Sequence, residues 1–193
     1  MKAIGSLKED LNIEKRISIT PETVKKFVEL KFSIFLEKNS GSHLGISDEE
    51  YVSKGAKIVN TAKEVLEKSE IILKVNFPFA DQSNFIKDNS LLIGQFDNLS
   101  NKEIINKLLK KGVKIFSLNL LPRITRAQSM DVLSSQANLA GYRAVIESVE
   151  EFEKAVPMMM TAAGTITPAK ILVIGAGVAG LQAIATAKRL GGI

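Results

Sequence analysis

The most constraining stretch of this chain is KILVIGAGVAGLQAIATAKRLG, from Lys170 to Gly191. Its four apolar residues, Ile171 to Ile174, predict a short buried strand. Gly175, Gly177 and Gly180 then predict a tight turn opening a helix that runs to about Leu190. Each glycine has its own use in such a unit. The first turns the chain, the second lets backbone approach a pyrophosphate, and the third lets helix lie close on strand. The helix N-terminus offers unpaired N–H groups to phosphate oxygens. The pattern predicts a dinucleotide site on Gly175, Gly177, Val178, Ala179 and Gly180, and the plain alternative is a structural turn of an α/β fold. In dinucleotide folds the acidic residue on the adenosine ribose lies about 20 residues past the glycines. That position falls beyond Ile193, so the motif does not choose between NAD and NADP, and tight nucleotide binding and activity are not expected of these 193 residues alone.

Upstream, residues 1 to about 120 alternate strand and helix, which predicts a doubly wound parallel α/β unit. Strands are expected at Lys2–Leu7, Phe32–Leu36, Glu70–Val75, Leu91–Ile93 and Val113–Leu118. Thr20 caps a helix with Pro21 at its first position and Val24, Phe27, Val28 and Leu30 on one face. Ser47 starts a short helix after the turn-rich loop Asn39–Gly45. Thr61 with Glu64, and Ser100 with Glu103, form capping boxes. The second box opens a helix with Ile104, Ile105, Leu108 and Leu109 on its apolar face, ended by Gly112. Pro78 breaks the pattern within Phe77–Asp81. A helix of several turns is expected from Ala127 to Val156, ended by Pro157 and bridging two domains. The boundaries drawn are 1–126, a flavodoxin-like α/β domain, and 127–193, the bridging helix and the start of a Rossmann domain. MMMTAAGTITPA reads as a loop whose methionines pack.

Composition narrows the chemistry. The 26 basic and 21 acidic residues give a net charge of +5. The basic residues are scattered rather than striped, which argues against nucleic acid as a partner. There is no cysteine, and His43 is the single histidine, so disulfides, thiol chemistry and a histidine-rich metal site are excluded. No secretory signal pattern is present at the start, so a cytoplasmic location is expected. The uncharged run Ile171–Ala187 is shorter than the roughly 20 residues a spanning helix needs. Arginines are few, and three of them, Arg123, Arg126 and Arg143, fall in one segment. In a lysine-rich chain such residues are suspected of serving for their planar, bidentate geometry. Arg123, Arg126, Gln128, Asp131 and Ser134 crowd a helix start next to strand ends, where ligands sit in such sheets. The plain alternative there is a helix N-terminus held by an arginine–aspartate pair.

Three segments carry a resemblance: EKRISITPETV, PRITRAQSMDVLSSQANLAGYRAV, and PMMMTAAGTITPAKILVIGAGVAGLQAIATAKRLG. They resemble the NAD(H)-binding component of proton-translocating nicotinamide nucleotide transhydrogenase, in a superfamily shared with alanine dehydrogenase. The resemblance covers essentially the whole chain and is densest from Pro122 to Gly191. It implies that Arg123 and Asp131 hold a loop against the nicotinamide, that Gln128 positions the two nucleotides, and that Ser134 contacts the carboxamide. It implies NAD(H) bound by this component, NADP(H) supplied by a partner component, a separate membrane component that carries protons, and a homodimer. The expected place is peripheral, on the inner face of the cell membrane.

Alanine dehydrogenases place an arginine and a lysine on the substrate and use a histidine as acid or base. Arg16 matches the arginine, while the lysine position is Asn76 and the histidine position is about Asp97. Oxidising an amino acid to an imine needs a positioned acid or base. Passing hydride between two nicotinamide rings needs proximity, orientation and exclusion of water. The residues kept are those for positioning, so the resemblance favours transhydrogenase. An amino-acid dehydrogenase and a nucleotide-binding module without turnover are the alternatives. Arg16 is expected to be structural and His43 a loop residue.

Overall fold

The computed structural model describes residues 2–76, 81–96 and 102–193, in two units, Met1–Leu121 and Pro122–Ile193. The expectations placed on Pro78, Asp97 and Ser100 lie outside the described residues.

In the first unit, short apolar segments pair as a six-stranded sheet, all parallel. The strands are β1 (Ala3–Ser6), β2 (Ser33–Glu37), β3 (Ala56–Val59), β4 (Ile71–Leu73), β5 (Leu91–Gly94) and β6 (Lys114–Ser117), and the order is β3-β2-β1-β4-β5-β6. The doubly wound parallel sheet expected from the alternation is present. Its order is the two-halved 3-2-1-4-5-6, whereas a flavodoxin-like sheet runs 2-1-3-4-5. The difference comes from β3, which the sequence does not announce: AKIV has a lysine inside it and only one strongly apolar pair. The register Leu36↔Ile58 shows why it forms, since Ala56 and Val59 are buried against the β2 side of the core.

Helix starts follow their caps. Thr20 accepts from the Thr23 amide and opens α1 (Pro21–Glu29). Ser47 and Glu50 make a full capping box for α2 (Asp48–Ser53). Thr61 caps α3 (Ala62–Lys68), but Glu64 meets the Thr61 hydroxyl rather than completing a box. On α1, Val24 is fully buried while Leu30, at the C-cap, is 67% exposed. The apolar face ends at Val28, two residues sooner than its spacing implies. On α4 (Lys102–Lys110), Leu108 is buried with Ile104 and Ile105 packed beside it, and Leu109 stays exposed. Each fully buried Val or Leu contributes about 1.5–3 kcal/mol, so Val24 and Leu108, not Leu30 and Leu109, anchor these helices.

The sheet order reverses between β1 and β4, where a ligand crevice would open beyond the strand C-terminal ends. Here the chain's own polar groups occupy the position. Glu9 accepts from the Lys74 ammonium at 2.6 Å and from the Val75 amide at 2.6 Å, with both side chains almost wholly buried. The Ser18 hydroxyl meets Ser6 and donates to the Leu73 carbonyl. Arg16 holds Glu14 through two bonds, Nε to Oε1 at 2.8 Å and Nη2 to Oε2 at 2.7 Å. The arginine keeps the Glu14 carboxyl below its ordinary value, against the opposing effect of burial. His43 Nε2 lies 2.7 Å from the Lys15 carbonyl, tying its loop to this segment.

In the second unit, α5 (Val132–Phe152) and α6 (Val178–Arg189) pack on each other through Val145, Ala183 and Ala187. α5 starts five residues later than expected, because Asp131 is its cap and Thr125–Met130 forms a 3-10 turn. It ends at Glu153, which takes a left-handed conformation with φ of 52°, before Pro157 is reached. MMMTAAGTITPA contains an antiparallel hairpin, β7 (Met159–Thr161) with β8 (Gly164–Ile166). The Thr161 hydroxyl donates to the Gly164 carbonyl and accepts from the Ala163 amide, which closes the two-residue turn. Its methionines do not pack as expected: Met160 is 85% exposed. Residues 171–174 join no sheet among the described residues. The Ile171 amide bonds to the Ile193 carbonyl, and the Ile193 amide to the Ala169 carbonyl. A strand in a parallel sheet is buried by its neighbours. Leu172 and Ile174 stand 86% and 92% exposed, and Ile171 and Val173 are half-buried against α5 and α6, so the expected buried strand is not present among the described residues.

Candidate functional site

Asp131 organises the first half of the site. Its Oδ1 accepts from the Ser134 amide at 2.9 Å and its Oδ2 from the Ser134 hydroxyl at 2.6 Å. Those two bonds, and then the nearby positive charge of Arg123, hold the carboxyl below its ordinary value. The loop before it is folded by successive short backbone bonds, Ile124 to Pro122, Ala127 to Ile124 and Asp131 to Gln128. Ala127 is the buried anchor of the turn, while Arg123, Gln128 and Met130 face outward. The result is a concavity of ≈ 250 Å³ lined by Pro122, Arg123, Ile124, Thr125, Ala127, Gln128 and Asp131. Pockets for whole drug-sized ligands run about 300–1,000 Å³. This one has room for a ring and its substituent rather than for a whole dinucleotide.

Three of the four residues expected here, Arg123, Gln128 and Asp131, line one concavity, and Ser134 is bonded to Asp131 behind it. Arg123 and Asp131 do not form an ion pair within 4 Å among the described residues; Arg123 acts on Asp131 through its field, while Ser134 makes the direct bonds to both carboxylate oxygens. Pro122, Ile124, Thr125 and Ala127 complete the lining, and the sequence singles out none of them as site residues. The proline before the arginine is the signal available for them.

The second half is the glycine turn. Gly175 has φ of +108°, a conformation that side chains oppose, and so makes the turn. Gly177 is the N-cap of α6, no side chain caps that helix, and a Cβ on Gly177 would meet nothing within 4 Å. The first turn of α6 thus presents free N–H groups to open space, which is what a pyrophosphate requires. A Cβ on Gly180 would stand 2.0 Å from the Gly175 carbonyl oxygen, so the third glycine allows the helix to close on the turn. The residues present fit a dinucleotide. Among the described residues there is no cluster of three His, Cys, Asp or Glu that could hold a metal ion, and no helix long and apolar enough to cross a membrane.

Comparison with known proteins shows the family and the fold. A family model described as "Alanine dehydrogenase/PNT, N-terminal domain" matches residues 5–140, and its companion, "Alanine dehydrogenase/PNT, C-terminal domain", matches 144–193. The chain is 47% identical over 185 residues to an NAD(P) transhydrogenase subunit alpha chain of Rhodospirillum rubrum, covering 93% of this chain and 48% of that protein. The crystal structure of transhydrogenase from Sinorhizobium meliloti superposes with a TM-score of 0.93 at 46% identity, over 100% of this chain and 57% of the other. An L-alanine dehydrogenase structure superposes with a TM-score of 0.81 at 25% identity, over 98% and 53%. The chain therefore spans about half the length of the relatives it matches. Both family models together cover the sheet, the loop with Arg123, Gln128 and Asp131, and the glycine turn, and the chain belongs to the alanine dehydrogenase/PNT family.

Proposed function

We propose that this chain is the N-terminal portion of the NAD(H)-binding component of a proton-translocating transhydrogenase, passing hydride from NADH to NADP+. The observation that carries the proposal is the concavity that gathers Arg123, Gln128 and Asp131 above Ser134. The names of the relatives support the same reading. NADH, when bound, supplies the hydride at C4 of its nicotinamide. The chain's own residues bind and orient. The first turn of α6 receives the pyrophosphate, and Arg123 and Gln128 stand at the open side of the concavity. Ser134 spends its proton on Asp131, so toward a carboxamide it presents lone pairs only and accepts from the amide NH2 group. None of these groups is asked to move a proton, in keeping with direct transfer between two rings.

In this reading a second soluble component holds NADP(H), a membrane component carries protons, the assembly is a homodimer of this component with those partners, and it sits at the inner face of the membrane. The amino-acid dehydrogenase alternative needs Arg16 on a substrate carboxylate, yet two of its donor groups are taken by Glu14. The distinguishing experiment assays the full native chain twice, for hydride transfer to an NADP+ analogue with an NADP(H)-binding component present and for alanine-dependent NADH formation. Transfer without alanine oxidation is the expected result. Alanine oxidation without transfer sinks the proposal, and NADH binding with neither activity leaves a binding module.

A further inference from the structure

Gly141 is the one glycine in the 21 residues of α5, in a helix interior where alanine would be the more stable choice. Its neighbour explains the choice. A Cβ on Gly141 would stand 2.1 Å from the Ala179 carbonyl oxygen and 2.9 Å from the Ala179 carbonyl carbon. Both are backbone atoms in the first turn of α6, so no change of side-chain rotamer relieves the contact. The far side of the same turn is as close, because a Cβ on Gly180 would meet the Gly175 carbonyl oxygen. The turn Val178–Gly180 is thus held between two backbones, α5 on one side and the glycine turn on the other. α5 itself is capped by Asp131, on the wall of the 122–131 concavity. Gly141 lies about 15 Å further along the same rigid helix, at 1.5 Å per residue.

We infer that Gly141 is a positioning residue for the dinucleotide: its missing side chain sets where the first turn of α6 stands relative to the ring concavity at the head of α5. The inference rests on the proposed reading of the concavity and the glycine turn as one NAD(H) site. Helix propensity and positioning have opposite signs at this residue, which makes them separable. An alanine there favours the helix by propensity and displaces the α6 turn by contact.

The test titrates the full native chain with NADH as wild type, as Gly141→Ala, and as Ala140→Gly, an exposed neighbour that changes helix propensity without facing α6. Amide hydrogen exchange is followed in the same proteins without ligand. The expected result for Gly141→Ala is an NADH Kd raised by about tenfold or more, since misplacement by about 1 Å is costly at such sites. Faster exchange at Leu181 to Ala183 and unchanged exchange at Ser134 accompany it. Ala140→Gly keeps the Kd within about twofold. An unchanged Kd in Gly141→Ala overturns the inference, and so does a loss that only tracks the unfolded fraction. If the wild type does not bind NADH, the dinucleotide reading fails, and exchange at Leu181 to Ala183 then decides alone whether Gly141 sets the turn. If Gly141→Ala does not fold, wild-type exchange with and without NADH decides. Protection reaching Ala144 and Val145 in α5 supports the inference, and protection confined to α6 overturns it.

Discussion

Ser134 gives Asp131 both of its donors, the backbone N–H to one carboxylate oxygen at 2.9 Å and the hydroxyl to the other at 2.6 Å. The pair closes the N-terminus of α5, and its Asp131 member lines the 122–131 concavity. Asp131→Ala removes the cap, and the amide of Ser134 is expected to exchange faster while the first unit is unaffected. The bonded Asp131 carboxyl has a lowered proton affinity, so its contribution is complete above the ordinary value of 3.8 and is lost as pH falls through the lower, folded value. Protection of the Ser134 amide, corrected for the intrinsic exchange rate, should therefore stay flat down to about pH 4 and fall only below it. A fall near neutral pH would contradict the assignment.

Gln128 is exposed on the loop, lines the concavity and is held by no side-chain bond among the described residues, and the proposed function gives it the positioning of the two nucleotides. Gln128→Asn shortens it by one methylene and keeps its amide. The expected outcome is a hydride-transfer rate lowered by about tenfold or more with the NADH Kd within about twofold. Single-turnover transfer and equilibrium titration on the same preparation measure the two, and an unchanged rate removes Gln128 from the site.

Gly180→Ala places a methyl where the Gly175 carbonyl oxygen already lies. Overpacking of this kind costs about 1–3 kcal/mol, and in the proposed reading it also opens the turn assigned to the pyrophosphate. Urea denaturation and NADH titration are expected to show both losses together. Retained affinity at reduced stability would separate the turn from the ligand.

Glu9 and Lys74 form a pair with both side chains almost wholly buried, at the point where the sheet order reverses. Removing one partner breaks this buried ion pair, at a cost of about 3–5 kcal/mol. Glu9→Ala is expected to lower the unfolding free energy by that order, read from a urea midpoint, with hydride transfer by the folded fraction unchanged. A loss of transfer in folded protein would place the crevice in the mechanism.

Much of this is legible in the residues. Thr20 and Ser47 announce their helices because a cap is a local bond between neighbours in sequence. The glycine turn is legible because backbone conformation and close approach both demand glycine. What escapes depends on partners distant in the chain. β3 forms because β2 offers an edge to Ala56–Val59, and nothing in AKIV itself says so. Sequence pattern puts the start of α5 at Ala127 because it does not see that Asp131 takes Ser134's two donors and stays outside the helix. Ile171 to Ile174 read as buried because apolar runs usually are, whereas burial depends on what packs against the run, and among the described residues no strand pairs with it. The roles proposed for Arg123 and Gln128 come through resemblance, since a lone arginine or glutamine on a turn carries no physical signature of its ligand.

The central claim is direct transfer between two nicotinamide rings, and isotope retention tests it. The full native chain with its NADP(H)-binding component is given NADH carrying deuterium at the transferred C4 position, in ordinary water. Deuterium retained at C4 of the NADPH formed is the predicted result, since a hydride passed ring to ring never meets solvent. Loss of the label to water, or no NADPH at all from an assembly that oxidises alanine, would contradict it.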